Sequence, residues 1–317
     1  MKSSIKSPVT GSYNTKILKI YSSTHFIDLY KNSINFDVSR FFNGLDKVLY
    51  IKCLDTGYCF FYPSSFAGDG PFYDELQQFD WYYHKEKWEF KEALRQIDQN
   101  DIVLEIGAGS GYFLDSLTNI PLKNKNAIEF NKSSVRILKQ KGYTVYDCSI
   151  EQHSVEKENF YDVIVLFQVL EHIYDIKSFL NSAIKALKPG GKLIIAVPNC
   201  YAKIVSLDLN HSANLPPHHM GHWNASSLKN LIQYFPIELN TIKCEPLTEE
   251  FYKRYYRVWA VHKRTKYGFF GKVLDKMLFP VSENIIKTLS GKLKGLSIIA
   301  SYKKINNVNT NELLQKD

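Results

Sequence analysis

Residues 103–114 read VLEIGAGSGYFL: a short β-like run containing one acid, three glycines at alternate positions, then a return to apolar residues. Glycine costs conformational entropy on folding, so three in five positions call for a reason to keep the backbone bare. A nucleotide, a phosphate or a tight strand-to-helix turn would each supply one. The pattern GxxxxGK[ST] is absent, which excludes a Walker-type phosphate cradle. Dinucleotide spacing is not met either, because Gly107, Gly109 and Gly111 leave Tyr112 at the third position of GxGxxG. Two acids frame the turn. Glu105 precedes it, and Glu129 ends the next β-like run, where a ribose would be hydrogen-bonded through its hydroxyls.

Outward from this turn the chain alternates between two periods. Strands are expected at 102–106, 125–130, 143–147, 161–167 and 192–198, with helices at 112–119, 132–141 and 178–187 and a turn at KPGG, 188–191. YDVIVLF (161–167) is almost unbroken in apolar character, as suits a strand covered on both faces. The alternation predicts an α/β fold with a doubly wound, mostly parallel sheet, and ligands at the carboxyl ends of its strands. LSIIASYKK (296–304) is expected to return as the last strand of the same sheet. Four regions follow: a weakly periodic lead-in and aromatic cap over 1–95, a core over 96–245, a basic helical insertion over 246–294, and the last strand and tail over 295–317.

LEIGAGSG followed by AIEF, YDVIVLFQVLEHI and LKPGGKLIIAVPN resembles the class I S-adenosylmethionine-dependent methyltransferases. The nearest group contains the ubiquinone-biosynthesis O-methyltransferases and many bacterial cell-surface sugar methyltransferases. The resemblance runs in order over about 101–200 and implies a Rossmann-like, seven-stranded sheet with S-adenosylmethionine as cofactor. It also implies cofactor contacts. Gly107, Ala108, Gly109 and Gly111 would let the methionine end approach backbone and a helix start. Glu105 would orient the loop or meet the methionine amino group, Glu129 with Phe130 would take the ribose edge, Ser149 and Ile150 would flank the adenine, and Gln168 would line the methionine end.

The acceptor is less closely specified. Methyl transfer to a hydroxyl gains from a general base, worth about 10²–10⁴ in rate. Glu171 and His172 in VLEHI, and His218, His219 and His222 in LPPHHMGHW, stand after successive strands. His219 leads as the base, with His218 and His172 behind it. A buried, purely structural role for this loop is the plain alternative. No carboxylate stands at ligand spacing beside the three loop histidines, so no metal is expected. FQVL replaces the [DNS]PP[YFW] of amino-methyltransferases acting on DNA bases, no PCQ nucleophile is present, and no paired-glutamate arginine clamp is seen. Tyr73, Tyr82, Tyr83 and Trp88 would either stack on a sugar or face the sulfonium, or seal the sheet.

Bulk composition narrows the setting. The chain has 317 residues, 44% hydrophobic and 23% charged, as in ordinary globular proteins. Five irregularly spaced cysteines form neither a disulfide framework nor a CxxC zinc pattern, which favours a reducing cytoplasm. No export signal is read at the N-terminus, and no apolar run reaches the roughly 20 residues that span a bilayer. The net charge of +8 concentrates in 252–294, where basic residues alternate with aromatics. That segment is either a helical cover with a solvated basic face or a surface for phosphate groups, including peripheral contact with the inner face of a membrane. The expected partner is a small-molecule or glycan-type acceptor, not nucleic acid. Rival readings are a quinone or secondary-metabolite O-methyltransferase, an RNA methyltransferase, and a cofactor-binding scaffold without turnover.

Overall fold

The structure, a computed structural model, describes residues 3–76, 86–200, 202, 212–247, 268 and 294–305. Its N-terminal part corrects the expectation of a loose lead-in. Strand β1 (Thr15–Ser22) runs into helix α1 (Ser23–Ile34), and β2 (Lys47–Cys53) and β3 (Cys59–Tyr62) follow as an antiparallel hairpin. The aromatic density of the sequence is spent here. Phe26 of α1 stacks on Phe42 at 5.5 Å between ring centres, Phe42 stacks on Phe66 at 5.5 Å, and Phe61 meets Phe26 edge-on at 6.1 Å. Large rings bury enough apolar area to give this small sheet its own core. Short helices α2 (Gly70–Leu76) and α3 (Trp88–Leu94) then lead towards the main sheet.

The central region alternates as the periodicity requires. Strand β4 (Val103–Ile106) is followed by α4 (Tyr112–Ser116), β5 (Lys125–Ile128) by α5 (Lys132–Gln140), and β6 (Thr144–Tyr146) by α6 (Ile150–Glu156). Then come β7 (Tyr161–Phe167), α7 (Ile176–Ala186) and β8 (Leu187–Pro198). Side-chain capping starts three of the helices. Asn131 accepts from Ser134 at α5, Ser149 forms a reciprocal pair with Gln152 at α6, and Asp175 accepts from Ser178 at α7. Alternate residues of the strands face opposite layers: Leu104, Ile164 and Leu193 enter one core, and Val103, Val163 and Ile194 the other.

After β8 the chain crosses to the N-terminal sheet, where β9 (Gly221–His222) pairs with β3. Helix α8 (Ala225–Lys229), β10 (Ile237–Pro246) and β11 (Lys294–Lys304) complete the main sheet. Its order is β10-β11-β8-β7-β4-β5-β6, with β4 to β8 parallel and β11 antiparallel to both neighbours. This is the doubly wound, mostly parallel seven-stranded sheet, with LSIIASYKK inserted as expected. Strand β10 escaped the sequence reading because its alternation is diluted by Asn240, Thr241 and Lys243 at an open edge. The basic segment of the expected insertion lies outside the described residues, apart from Gly268 and Lys294. Among the described residues no helix is long and apolar enough to cross a membrane.

The β3–β9 seam is closely fitted. A Cβ at Gly221 would lie 1.6 Å from the Tyr58 hydroxyl and 2.5 Å from Cζ, and Tyr58 packs on buried Trp223 with ring centres 4.3 Å apart. Gly221→Ala is therefore expected to lower unfolding stability by about 1–3 kcal/mol, through overpacking. An unchanged midpoint in denaturant titration would show that the seam has room to yield.

Candidate active site

The order of the sheet reverses between β4 and β7, and a cleft of about 960 Å³ opens at the carboxyl ends of these strands. Its floor is the turn after β4. Gly107, Gly109 and Gly111 all have positive φ, at +72°, +51° and +79°, so each sits in a region that L-residues seldom adopt. At Gly107 a Cβ would also stand 2.6 Å from Val169 Cγ2. The middle of the turn is held from the neighbouring strand. Glu129 Oε2 accepts the Gly109 N–H at 2.7 Å, and Oε1 accepts the Asn131 N–H at 2.8 Å. One carboxylate thus ties the glycine turn to the start of α5.

Two polar side chains face the cleft from the strands on either side of the switch point. Glu105 is 4% exposed, and its Oε2 has no hydrogen-bond partner among the described residues. Burial pushes its carboxyl well above the usual range, against the pull of the Lys87 ammonium. Gln168 follows β7 with φ +57°, a strained value for a non-glycine residue. Its backbone N–H donates to Ala196, and its amide donates to Glu89 Oε1 at 3.2 Å and to Ser297 Oγ at 3.3 Å.

The far wall of the cleft is built from two loops. The backbone N–H groups of Met220 and Gly221 donate to the Glu171 carbonyl at 2.9 and 3.1 Å, laying the histidine loop across the end of β7. His172, His218 and His219 meet there, with ring centres 4.4–4.9 Å apart. His172 Nδ1 donates to the His218 carbonyl at 2.7 Å, and the Tyr73 hydroxyl lies 3.1 Å from the same nitrogen. Burial lowers the His172 pKa to about 4 and raises that of Glu171 to about 8.

Of the residues singled out from the sequence, Glu105, Gly107, Ala108, Gly109, Glu129, Phe130, Gln168, His172, His218 and His219 line this one cleft. Gly111 stands just behind, as the N-cap of α4. Phe130 is 62% exposed at the rim. Ser149 and Ile150 are not in the lining: the Ser149 hydroxyl caps α6 and the Ile150 side chain is buried in the core. His222 has left the histidine group, its Nε2 donating to the Asn214 carbonyl at 2.6 Å and its Nδ1 accepting from Tyr50 at 2.9 Å. Tyr73 lines the cleft and Trp88 packs against the core instead. Tyr82 and Tyr83 lie outside the described residues. Lys87 and Glu89 were overlooked by sequence reading. The signal available was their position at the end of the aromatic stretch, immediately before the fold begins.

Residues 82–235 match the family described as a methyltransferase domain. A protein of Mycolicibacterium smegmatis, described as a probable S-adenosylmethionine-dependent methyltransferase, is 26% identical over 135 residues, which are 41% of this chain and 49% of the relative. The ubiquinone biosynthesis O-methyltransferase of Hydrogenovibrio crunogenus is 27% identical over 117 residues, 35% of this chain and 48% of the relative. The chain thus spans about half the length of these curated relatives. A solved S-adenosylmethionine-dependent methyltransferase from Archaeoglobus fulgidus superposes with a TM-score of 0.49 at 16% identity, covering 73% of this chain and 100% of that one. Residues 82–235 carry a methyltransferase domain of the class I, S-adenosylmethionine-dependent type.

Removing the Glu129 clamp should be felt without any ligand. Glu129→Ala strips the N–H groups of Gly109 and Asn131 of their acceptor, a loss of about 1–3 kcal/mol if water does not replace it. The check is the thermal midpoint of the ligand-free protein. An unchanged midpoint would mean that the glycine turn holds its shape alone.

Proposed function

We propose that the protein transfers the methyl group of S-adenosylmethionine to a hydroxyl oxygen of a small acceptor, of the sugar or glycan type. The observation that carries this reading is the polarity of one continuous cleft. A bare-backbone turn, a buried carboxyl group whose Oε2 has no partner among the described residues, and three imidazoles line it together.

The donor set fits the cofactor. Glu105 Oε2 offers a buried acceptor for the methionine ammonium, and the glycine turn permits close approach of its carboxylate. Each Glu129 oxygen makes one backbone hydrogen bond and keeps a second lone pair for the ribose hydroxyls. The exposed ring of Phe130 suits the adenine face, a role for which Ser149 and Ile150 offer only backbone. Bound there, S-adenosylmethionine supplies a methyl on a positively charged sulfur, which an oxygen lone pair takes while the carbon–sulfur pair stays on sulfur. The chain's task is to hold that oxygen in line and accept its proton. His219, with His218 and His172 beside it, is the proton acceptor in this reading, and Tyr73 orients His172.

A quinone-type phenol is the second reading, favoured by the likeness to the Hydrogenovibrio enzyme. Radiolabelled S-adenosylmethionine incubated with cell extracts separates the two. Label in a sugar-nucleotide or envelope fraction supports the first, and label in a neutral lipid extract supports the second. The peripheral membrane contact belongs to the same proposal and is read by vesicle co-sedimentation of the full chain.

Cofactor binding itself is tested by calorimetry with S-adenosylhomocysteine. Gly109→Val should abolish it. Glu105 is held protonated by burial and would ionise on meeting an ammonium, so binding should release up to about one proton and strengthen as pH rises. Glu105→Gln should remove that release. His219→Ala should keep cofactor affinity and lose about 10²-fold or more in turnover. Proton release that persists in the Gln variant would assign the ammonium to another acceptor.

A further inference from the structure

We propose that His172, His218 and His219 form a binding site for one divalent transition-metal ion of the zinc class, with Glu171 as its anionic partner. One ring nitrogen from each of the three histidines lies within 4.8 Å of the others. A tetrahedral ion at its usual distance from imidazole needs ligand atoms about 3.4 Å apart, a difference that side-chain rotation can close. The histidine loop is anchored to the Glu171 carbonyl through Met220 and Gly221, so the two halves of the site are held together by backbone.

The hydrogen bonding of His172 supports a ligand role. Its Nδ1 faces the His218 carbonyl oxygen at 2.7 Å, and a carbonyl can only accept, so the proton sits on Nδ1 and the lone pair on Nε2. Metal-ligating histidines are oriented in this way by an acceptor on the far nitrogen. Glu171 stands beside that nitrogen. Glu171 is 1% exposed, neither of its oxygens has a hydrogen-bond partner among the described residues, and Oε1 stands 3.9 Å from His172 Nε2. A cation held by the three imidazoles would pair with this carboxylate and compensate its burial. Three imidazole ligands favour Zn²⁺ or Co²⁺ over Mg²⁺, which prefers oxygen ligands and retained water.

The site deepens the function proposed above and rests on it for its use. It lies in the same cleft as the glycine turn, so a fourth ligand would come from the space assigned to the acceptor. With an ion bound, the imidazoles would serve as ligands in place of the base role given to His219 above, and the acceptor's proton would pass to solvent. The acceptor class becomes one that can offer a hydroxyl oxygen as ligand, as a sugar alcohol or a diol does. Metal coordination lowers the pKa of such an oxygen without an imidazole having to titrate.

The test uses the full chain, stripped with chelator and titrated with Zn²⁺ and with Co²⁺. One equivalent of zinc per chain, and the intense visible absorption of tetrahedral Co²⁺, are the expected results. His172→Ala and the double variant His218→Ala/His219→Ala should each weaken binding by about tenfold or more, whereas His25→Gln on the N-terminal helix should not. A folded wild-type chain that takes up no zinc and shows no tetrahedral Co²⁺ spectrum would overturn the proposal, whether or not the variants fold. Calorimetry with S-adenosylhomocysteine on the same samples separates the two readings. Zinc binding without cofactor binding would leave the metal site standing and remove the methyltransferase reading. Cofactor binding without zinc would do the reverse.

Discussion

The carboxylate of Glu129 accepts one N–H from the turn after β4 and one from the start of α5, and the geometry of the cleft floor depends on this bridge. Three successive glycines at positive φ make a turn with little side chain to hold it in place. Intrinsic preference would leave such a turn with many accessible conformations, at an entropic cost on ordering. A charged acceptor on the adjacent strand removes part of that freedom through charge-assisted hydrogen bonds. In the function proposed above, the same carboxylate would already be oriented for the ribose diol. Pre-organisation of this kind spares the binding step the cost of ordering its own acceptor.

The opposite wall is positioned by quite different means. The histidine loop leaves the main sheet, donates two backbone N–H groups to Glu171, and continues as β9 along β3 of the N-terminal sheet. On its other side the Tyr30 hydroxyl lies 2.9 and 2.8 Å from the carbonyl oxygens of Ser212 and Leu215. The aromatic sheet over residues 15–62 therefore acts as a scaffold for the histidine loop and carries a core of its own. A loop held at both margins by secondary structure presents His218 and His219 with less freedom than a free lid would.

Local periodicity made the central fold legible, because each β4 to β8 unit carries its own pattern and helix cap. IVLEI and YDVIVLF declare buried parallel strands by apolar continuity, and KPGG marks the turn between α7 and β8. The glycine turn and its two acids were equally readable, since their chemistry is confined to 25 consecutive residues, 105–129. What escaped was long-range. TKILKIYS pairs with a strand about 30 residues later, with Lys16 and Lys19 on its exposed positions, so no local rule distinguishes it from a loop. The exchange of His222 for His172 is of the same type. Spacing along the chain groups His218, His219 and His222, but β9 places successive side chains on opposite faces, and Tyr50 and Asn214 draw His222 away.

Glu105 and Glu171 both line one cleft, both almost completely buried and both short of hydrogen-bond partners. Burying a carboxyl group without partners costs stability, and a domain this size has other side chains that would pack in those places. Two such costs in one cavity are best explained by positive charge that arrives from outside the chain. At the glycine end that charge, in the function proposed above, would be an ammonium and a sulfonium. At the histidine end three nitrogens surround the position, which suits a metal ion better than a second organic cation, since an ammonium needs acceptors at hydrogen-bond length rather than converging imidazoles. Each cation would then offset the burial of its own carboxyl group.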